Sequence, residues 1–194
     1  MSTQDARTRI LETALDLFHG QGVNATGLGQ ILDASGTGKS QFYHYFSSKD
    51  DLVLEVMKHF RGKIASGEIP VPRDLATWRD LEEWFDFFLD HQRATKCVRS
   101  CPIGTIASDI TENKGPLRDE ATSIFRAGRL PLIALFTSLR AQGKLKRSTD
   151  PEELADFCYT VMQGGLLVSK IERRSEPFEN AVRHALAHVR SLQS

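Results

Sequence analysis

Several features are missing from this 194-residue sequence, and each absence removes a class of function. No apolar run approaches the roughly 20 residues that cross a bilayer, which argues against a membrane partner. The start, Met1-Ser-Thr-Gln-Asp5, lacks the basic and apolar regions of a secretory signal, so a cytoplasmic protein is expected. Cysteine is scarce: Cys97, Cys101 and Cys158 make an odd set without framework spacing, as reduced thiols would. There is no zincin histidine pair, no glycine-rich dinucleotide fingerprint and no internal repeat. Ser40 and His44 stand four apart, but no acid orients the histidine, so neither an enzyme nor a bound cofactor is expected. Net charge is missing too, because 25 basic residues balance 25 acidic ones. Residues 1 to 63 repeat that balance at seven against seven. Any attraction to nucleic acid must therefore come from placement, with Lys39 and Lys49 on one surface and the acids elsewhere.

What is present is ordinary globular composition, 40% hydrophobic and 26% charged, arranged with helical period. Leu11, Ala14, Leu15 and Phe18 fall at i, i+3, i+4 and i+7 and predict a helix from Asp5 to Gly20. Thr26 is the expected N-cap of a second helix, Leu28 to Ala34, carrying Leu28, Ile31 and Leu32 on one face. Ser35-Gly36-Thr37 is a tight turn into a third, Lys39 to Tyr45, and Lys49-Asp50-Asp51 opens a fourth. Two short helices across a glycine turn make a helix-turn-helix, whose second helix is shaped to enter the major groove. Gly36-Thr37-Gly38-Lys39-Ser40 also ends like a phosphate-binding loop, but Asp33 stands where that motif needs glycine. The preceding run has the spacing of a helix and not of a strand.

Ser66 to Pro72, with one glycine and two prolines, has linker composition. The expected division is 1–48 as DNA-binding domain, 49–72 as connecting helix and linker, and 73–194 as a helical ligand-binding and dimerisation domain. In the last part Trp84, Phe85 and Phe88 give one helix an aromatic face, and Pro131 should kink a long helix running from Leu117 to about Gln142. A bent helix beside an aromatic one can open a cavity. Trp84, Phe85, Phe88, Cys101, Phe125 and Met162 are its candidate lining, core packing being the other reading. Cys97 and Cys101 sit on a loop entering a new helix at Pro102. They are small buried hydrophobes, a redox- or electrophile-sensing pair whose thiolates Lys96 and Arg99 would favour, or zinc ligands, though only His91 lies near and no second ligand pair appears. Asn113 to Pro116 is an expected turn. Asp150-Pro151-Glu152-Glu153 starts a helix, and a last one follows from Phe178. Together they suggest a four-helix interface between two identical chains, formed by Phe157, Val161, Phe178, Val182, Ala185, Leu186 and Val189.

Thr26 to Leu52 resembles the tetracycline-repressor (TetR) family of bacterial one-component regulators. The resemblance lies in Tyr43-His44-Tyr45-Phe46 followed by Lys49 and Asp50, and in the preceding Ala14 to Gly22 helix end. It implies an all-α protein: a three-helix helix-turn-helix domain, then a larger helical domain. It also implies that Thr26, Tyr43, His44 and Lys49 meet phosphates while Lys39, Ser40 and Gln41 face base edges. Lysine can donate to guanine O6 and N7 and glutamine can pair with adenine, whereas phosphate contacts fix register. Gly38 departs from the family's usual serine or threonine cap. The implied partners are a double-stranded DNA operator, a small-molecule effector and a second copy of the chain. The alternative is a helical small-molecule carrier or adaptor that does not bind DNA.

Overall fold

The computed structural model describes residues 5–110 and 115–194, so the reading of the first four residues and of a turn at Asn113-Lys114 lies outside it. Among the described residues the architecture is all-α, with nine helices and a single isolated bridge between Leu145 and Gln193. Two compact units divide them.

The first unit takes the chain up to Pro70 and then Pro102–Ile124. It holds α1 (Ala6–Gln21), α2 (Leu28–Ser35), α3 (Lys39–Tyr45), α4 (Lys49–Ala65) and α6 (Pro102–Ser108). Helix α1 is the hub, packing against α2, α3, α4 and α6. Its N-cap is Asp5, whose carboxylate accepts the Thr8 amide at 2.7 Å. Of the expected apolar stripe, Leu11, Ala14 and Phe18 are buried, together with Ile10, while Leu15 is half-buried. Helix α4 starts with a reciprocal cap, Ser48 Oγ accepting the Asp51 amide at 3.1 Å while Asp51 accepts Ser47 N–H at 2.8 Å.

Many of this unit's charges pair within it. Glu12 accepts from His59 at 2.8 Å and from Lys63 at 2.8 and 3.0 Å, joining α1 to α4. The carboxyl of Glu12 sits below its ordinary pKa: partial burial works against that, but bonds from Lys63 and His59 prevail. Glu55 takes Arg7 and Lys58. The acids that cancel the unit's charge in the sequence are thus largely drawn onto α1 and α4.

The expected linker contains the boundary between Pro70 and Val71, but α6 departs from the expected division. It follows Cys101 of the second unit, yet it belongs to the first because Ile103 and Ile106 are buried in it and it packs on α1. The second unit, Val71–Cys101 with Phe125–Ser194, contains α5 (Trp78–Ala94), α8 (Pro151–Glu172), α9 (Glu176–Ser191) and the later part of α7 (Gly115–Ala141), which includes Pro131. Capping is as the residues suggest: Thr77 accepts the Asp80 amide on α5, and Asp150 accepts two amides ahead of Pro151 on α8. Trp84, Phe85, Leu135, Phe136, Met162 and Phe178 lead its core. Helices α8 and α9 meet closely at Gly165, where an added Cβ would lie 2.0 Å from the fully buried Phe178 ring.

Neither the ring nor the backbone can retreat there, so Gly165→Ala should cost about 1–3 kcal/mol of unfolding free energy through overpacking. Gly62→Ala, exposed in the last turn of α4 with open space around it, should instead gain roughly 0.4–1 kcal/mol. Denaturant titration of both variants checks the contrast.

Candidate nucleic-acid interface

The turn between α2 and α3 is built by backbone geometry. Gly36 ends α2 in the left-handed conformation at φ 62°, a position where glycine avoids a Cβ clash, and the Thr37 amide donates back to Leu32 O at 3.0 Å. Ser35 Oγ and Thr37 Oγ1 lie 2.7 Å apart, and Arg9 Nε donates to Ser35 O, tying the turn to α1. Thr37 is therefore occupied, and the N-cap of α3 is Gly38, with no side-chain cap of its own. Gln41 compensates by reaching back with its Oε1 to the Gly38 amide at 3.3 Å. Asp33 lies in α2, so the phosphate-loop reading fails here on structure as well as on sequence.

Helix α3 is seven residues long. Phe42 and Phe46, at 0% and 1% exposure with ring centroids 5.4 Å apart, pin it to the unit's core. Lys39, Ser40, Gln41, Tyr43 and His44 are all exposed, Tyr43 at 61%. At about 100° per residue, Ser40, Gln41, Tyr43 and His44 occupy the half of the helix turned from Phe42. Five side chains able to donate hydrogen bonds thus stand on one short exposed helix.

Two expected contacts are placed differently. Thr26 is fully buried: its hydroxyl donates to Gly22 O at 2.6 Å and accepts from Gln21 Nε2 at 3.1 Å. It is not the cap of α2 either, since that position is Gly27. This hydroxyl has no exposed oxygen or spare proton for a phosphate, so the expected contact at Thr26 is corrected to a structural one. Lys49 is half-buried, with Nζ donating to Val23 O at 2.6 Å. An ammonium has three donors, so that bond still allows a phosphate contact while adding a structural role.

In the second unit the expected interface residues separate. Phe178, Val182, Ala185 and Val189 are 4% exposed or less and face their own core, so they are unavailable to a partner. Leu186 is half-buried against that core. Phe157 is 39% exposed and Val161 half-exposed, and they belong to a different stripe, continued by Gly164, Val168 and Ile171. That spacing of i, i+4, i+7, i+11 and i+14 was a missed signal on α8. Phe157, Val161, Gly164 and Val168 line a shallow groove of about 530 Å³, with Pro177 and Ala181 of α9 opposite. Of the expected pocket lining, Trp84, Phe85 and Met162 fill the core, and Phe88 and Cys101 pack against it half-exposed. Phe125 stacks edge-on to Tyr159 at 5.9 Å.

The thiolate argument for Cys97 is overturned. Burial and then Glu176 and Glu179 raise its thiol above the ordinary cysteine value, with only Arg173 opposing. Burial pushes Cys158 up to about 12. Both thiols stay protonated near neutral pH and lie inside, whereas Cys101 is half-exposed. A disulfide reagent at pH 8 should therefore modify one thiol of the native chain, Cys101, and all three in denaturant. Intact-mass measurement with peptide mapping checks the count.

The helix-turn-helix segment has recognised counterparts. Residues 10–56 match the family model described as bacterial regulatory proteins, tetR family, and residues 78–185 match the tetracyclin repressor-like C-terminal domain. The chain is 28% identical over 181 residues to the uncharacterized HTH-type transcriptional regulator YxaF of Bacillus subtilis, covering 91% of each chain. It is 24% identical to the HTH-type transcriptional repressor DhaR of Mycobacterium sp. (strain GP1), covering 92% of this chain and 89% of that one. Among solved structures, the regulatory protein TetR from Rhodobacter sphaeroides superposes with a TM-score of 0.81 at 22% identity, over 94% of this chain and 98% of the other.

Proposed function

We propose, for a chain that belongs to the TetR family of DNA-binding transcriptional regulators, that it is a ligand-released repressor: a homodimer holding a palindromic operator with two copies of α3. Its class is that of a regulator and not an enzyme, and the reading as a carrier or adaptor without DNA binding falls with the family assignment. The observation that carries the proposal is the division of α3, with two phenylalanines in the core and five donor side chains outside.

In this reading Lys39, Ser40 and Gln41 meet base edges, and Tyr43, His44 and Lys49 meet phosphates. Binding DNA would take Gln41 off the Gly38 amide. The second copy docks on the exposed stripe of α8 through Phe157, Val161, Val168 and Ile171, where Gly164 leaves open space for a close helix approach. Repression is supported by DhaR, which is named a repressor. The effector acts in the second unit, where Phe88, Cys101 and Phe125 are half-exposed and Tyr159 neighbours the last two. To release the operator it must favour the non-binding state by about 1–3 kcal/mol or more. None of the described helices is long and apolar enough to cross a membrane, and a cytoplasmic site of action fits contact with DNA.

Gel-shift titration against the region upstream of the chain's own gene, at two salt concentrations, tests the division of roles. Lys39→Ala or Gln41→Ala should cost about 1–3 kcal/mol on the cognate duplex and little on random DNA. Lys49→Ala should weaken binding to both and lower the salt slope by about one. Equal losses on both duplexes for every variant would refute this assignment.

A further inference from the structure

The connection between α1 and α2 is gripped from several sides. Gly22 N–H donates to Phe18 O at 2.9 Å, Thr26 N–H to Val23 O at 3.2 Å, and Thr26 Oγ1 to Gly22 O at 2.6 Å. From α4, Lys49 Nζ takes Val23 O at 2.6 Å. From the end of α6, Asp109 Oδ2 accepts the Asn24 amide at 3.0 Å, across 85 residues of sequence. A second observation converges on the same oxygen. Gly22 stands at φ 89°, and a Cβ added there would lie 2.8 Å from Asp109 Oδ2. The turn is thus shaped to admit this carboxylate, and a side chain at position 22 would push it out.

We infer that Asp109 is a positioning residue for DNA reading: through the Asn24 amide and the notch at Gly22, it fixes where α2 and α3 start relative to α1. The inference rests on the DNA-reading role proposed for α3. Asp109 just follows α6, whose Ile103 and Ile106 are buried in the first unit and which packs on α1. The chain enters α6 directly from Cys101, the last residue of its segment in the second unit. A change of state there that draws on α6 would reach the α1–α2 connection, and through it the reading helix, by this bond. A carboxylate accepting a backbone amide makes a charge-assisted bond, stronger than a neutral one, and it holds the chain at Asn24, just ahead of the Gly27 cap of α2, so that the three residues Gly36 to Gly38 are left to set the angle of α3.

Charge alone predicts the opposite effect. A negative group on the unit that approaches phosphates should oppose binding, so removing it should help. Positioning predicts that removing the acceptor harms binding, and that an amide, which keeps an acceptor oxygen without the charge, largely preserves it.

The test uses the full chain and the duplex that it enriches from a random-sequence pool. Asp109→Ala should weaken binding to that duplex about tenfold, the scale of losing one charge-assisted bond. It should hardly change binding to random DNA, so the ratio of the two falls, and the salt slope should stay the same. Asp109→Asn should remain within about threefold of the parent on both duplexes. Equal or tighter binding by Asp109→Ala would overturn the inference, as would an equal loss in both variants. Circular dichroism confirms that each variant is folded. If Asp109→Ala does not fold, amide exchange in the parent chain decides: a protected Asn24 amide supports the clamp, and exchange at the free-peptide rate overturns it. Failure of the parent to enrich any sequence would instead sink the DNA-reading role itself, and this inference with it, whatever Asn24 shows.

Discussion

A helix of seven residues cannot hold itself together in water, where isolated helices shorter than about 12 residues are marginal even with favourable sequences. The insertion of Phe42 and Phe46 into the core around α1 therefore decides whether α3 exists, and the rest of the first unit serves that insertion. Ile10, Leu11, Ala14 and Phe18 give α1 its buried face, Ile31 and Leu32 close it from α2, and Leu52, Val53, Val56 and Met57 from α4. With its apolar side spent on this anchorage, α3 turns Ser40, Gln41, Tyr43 and His44 outward. Reading DNA with so short an element requires the anchor to be rigid, because a tilt of a few degrees moves every donor from its base edge or phosphate.

Electroneutrality is resolved in the same unit. The acids Glu12 and Glu55 are bonded to Lys63, His59, Arg7 and Lys58 along α1 and α4. These pairs are partly exposed and each adds little stability, but they place opposite charges beside one another. Lys39 stands exposed at the start of α3. In the proposed function, affinity comes from a few placed donors and from two copies of them, not from a general basic field.

Periodicity and caps made much of this legible. The stripe on α1, the glycine turn, the two phenylalanines of α3 and the Asp150-Pro151 start of α8 are local features, and local chemistry decides them. The errors have a common physical origin in tertiary contacts. Thr26 looks like a cap, but Gly22 O takes its hydroxyl and leaves Gly27 at the cap. The regular stripe on α9 identified an apolar face correctly, yet periodicity cannot tell whether a helix's own core or another chain covers it, and here Phe178, Val182, Ala185 and Val189 face inward. Lys96 and Arg99 beside Cys97 suggest a thiolate, but burial and then Glu176 and Glu179, some eighty residues on, oppose it. The attachment of α6 to the first unit is likewise invisible in sequence, since Ile103 and Ile106 show an apolar face but not that α1 receives it.

The central claim is that two copies of one anchored short helix read a twofold-symmetric site. Footprinting the full chain on a duplex selected from random sequence, with the stoichiometry measured by analytical ultracentrifugation, tests it most directly. The account predicts two chains per duplex and a palindromic footprint whose half-sites are centred about 34–36 Å apart or a multiple of that spacing. One chain on an asymmetric site, or protection without any sequence preference, would contradict it.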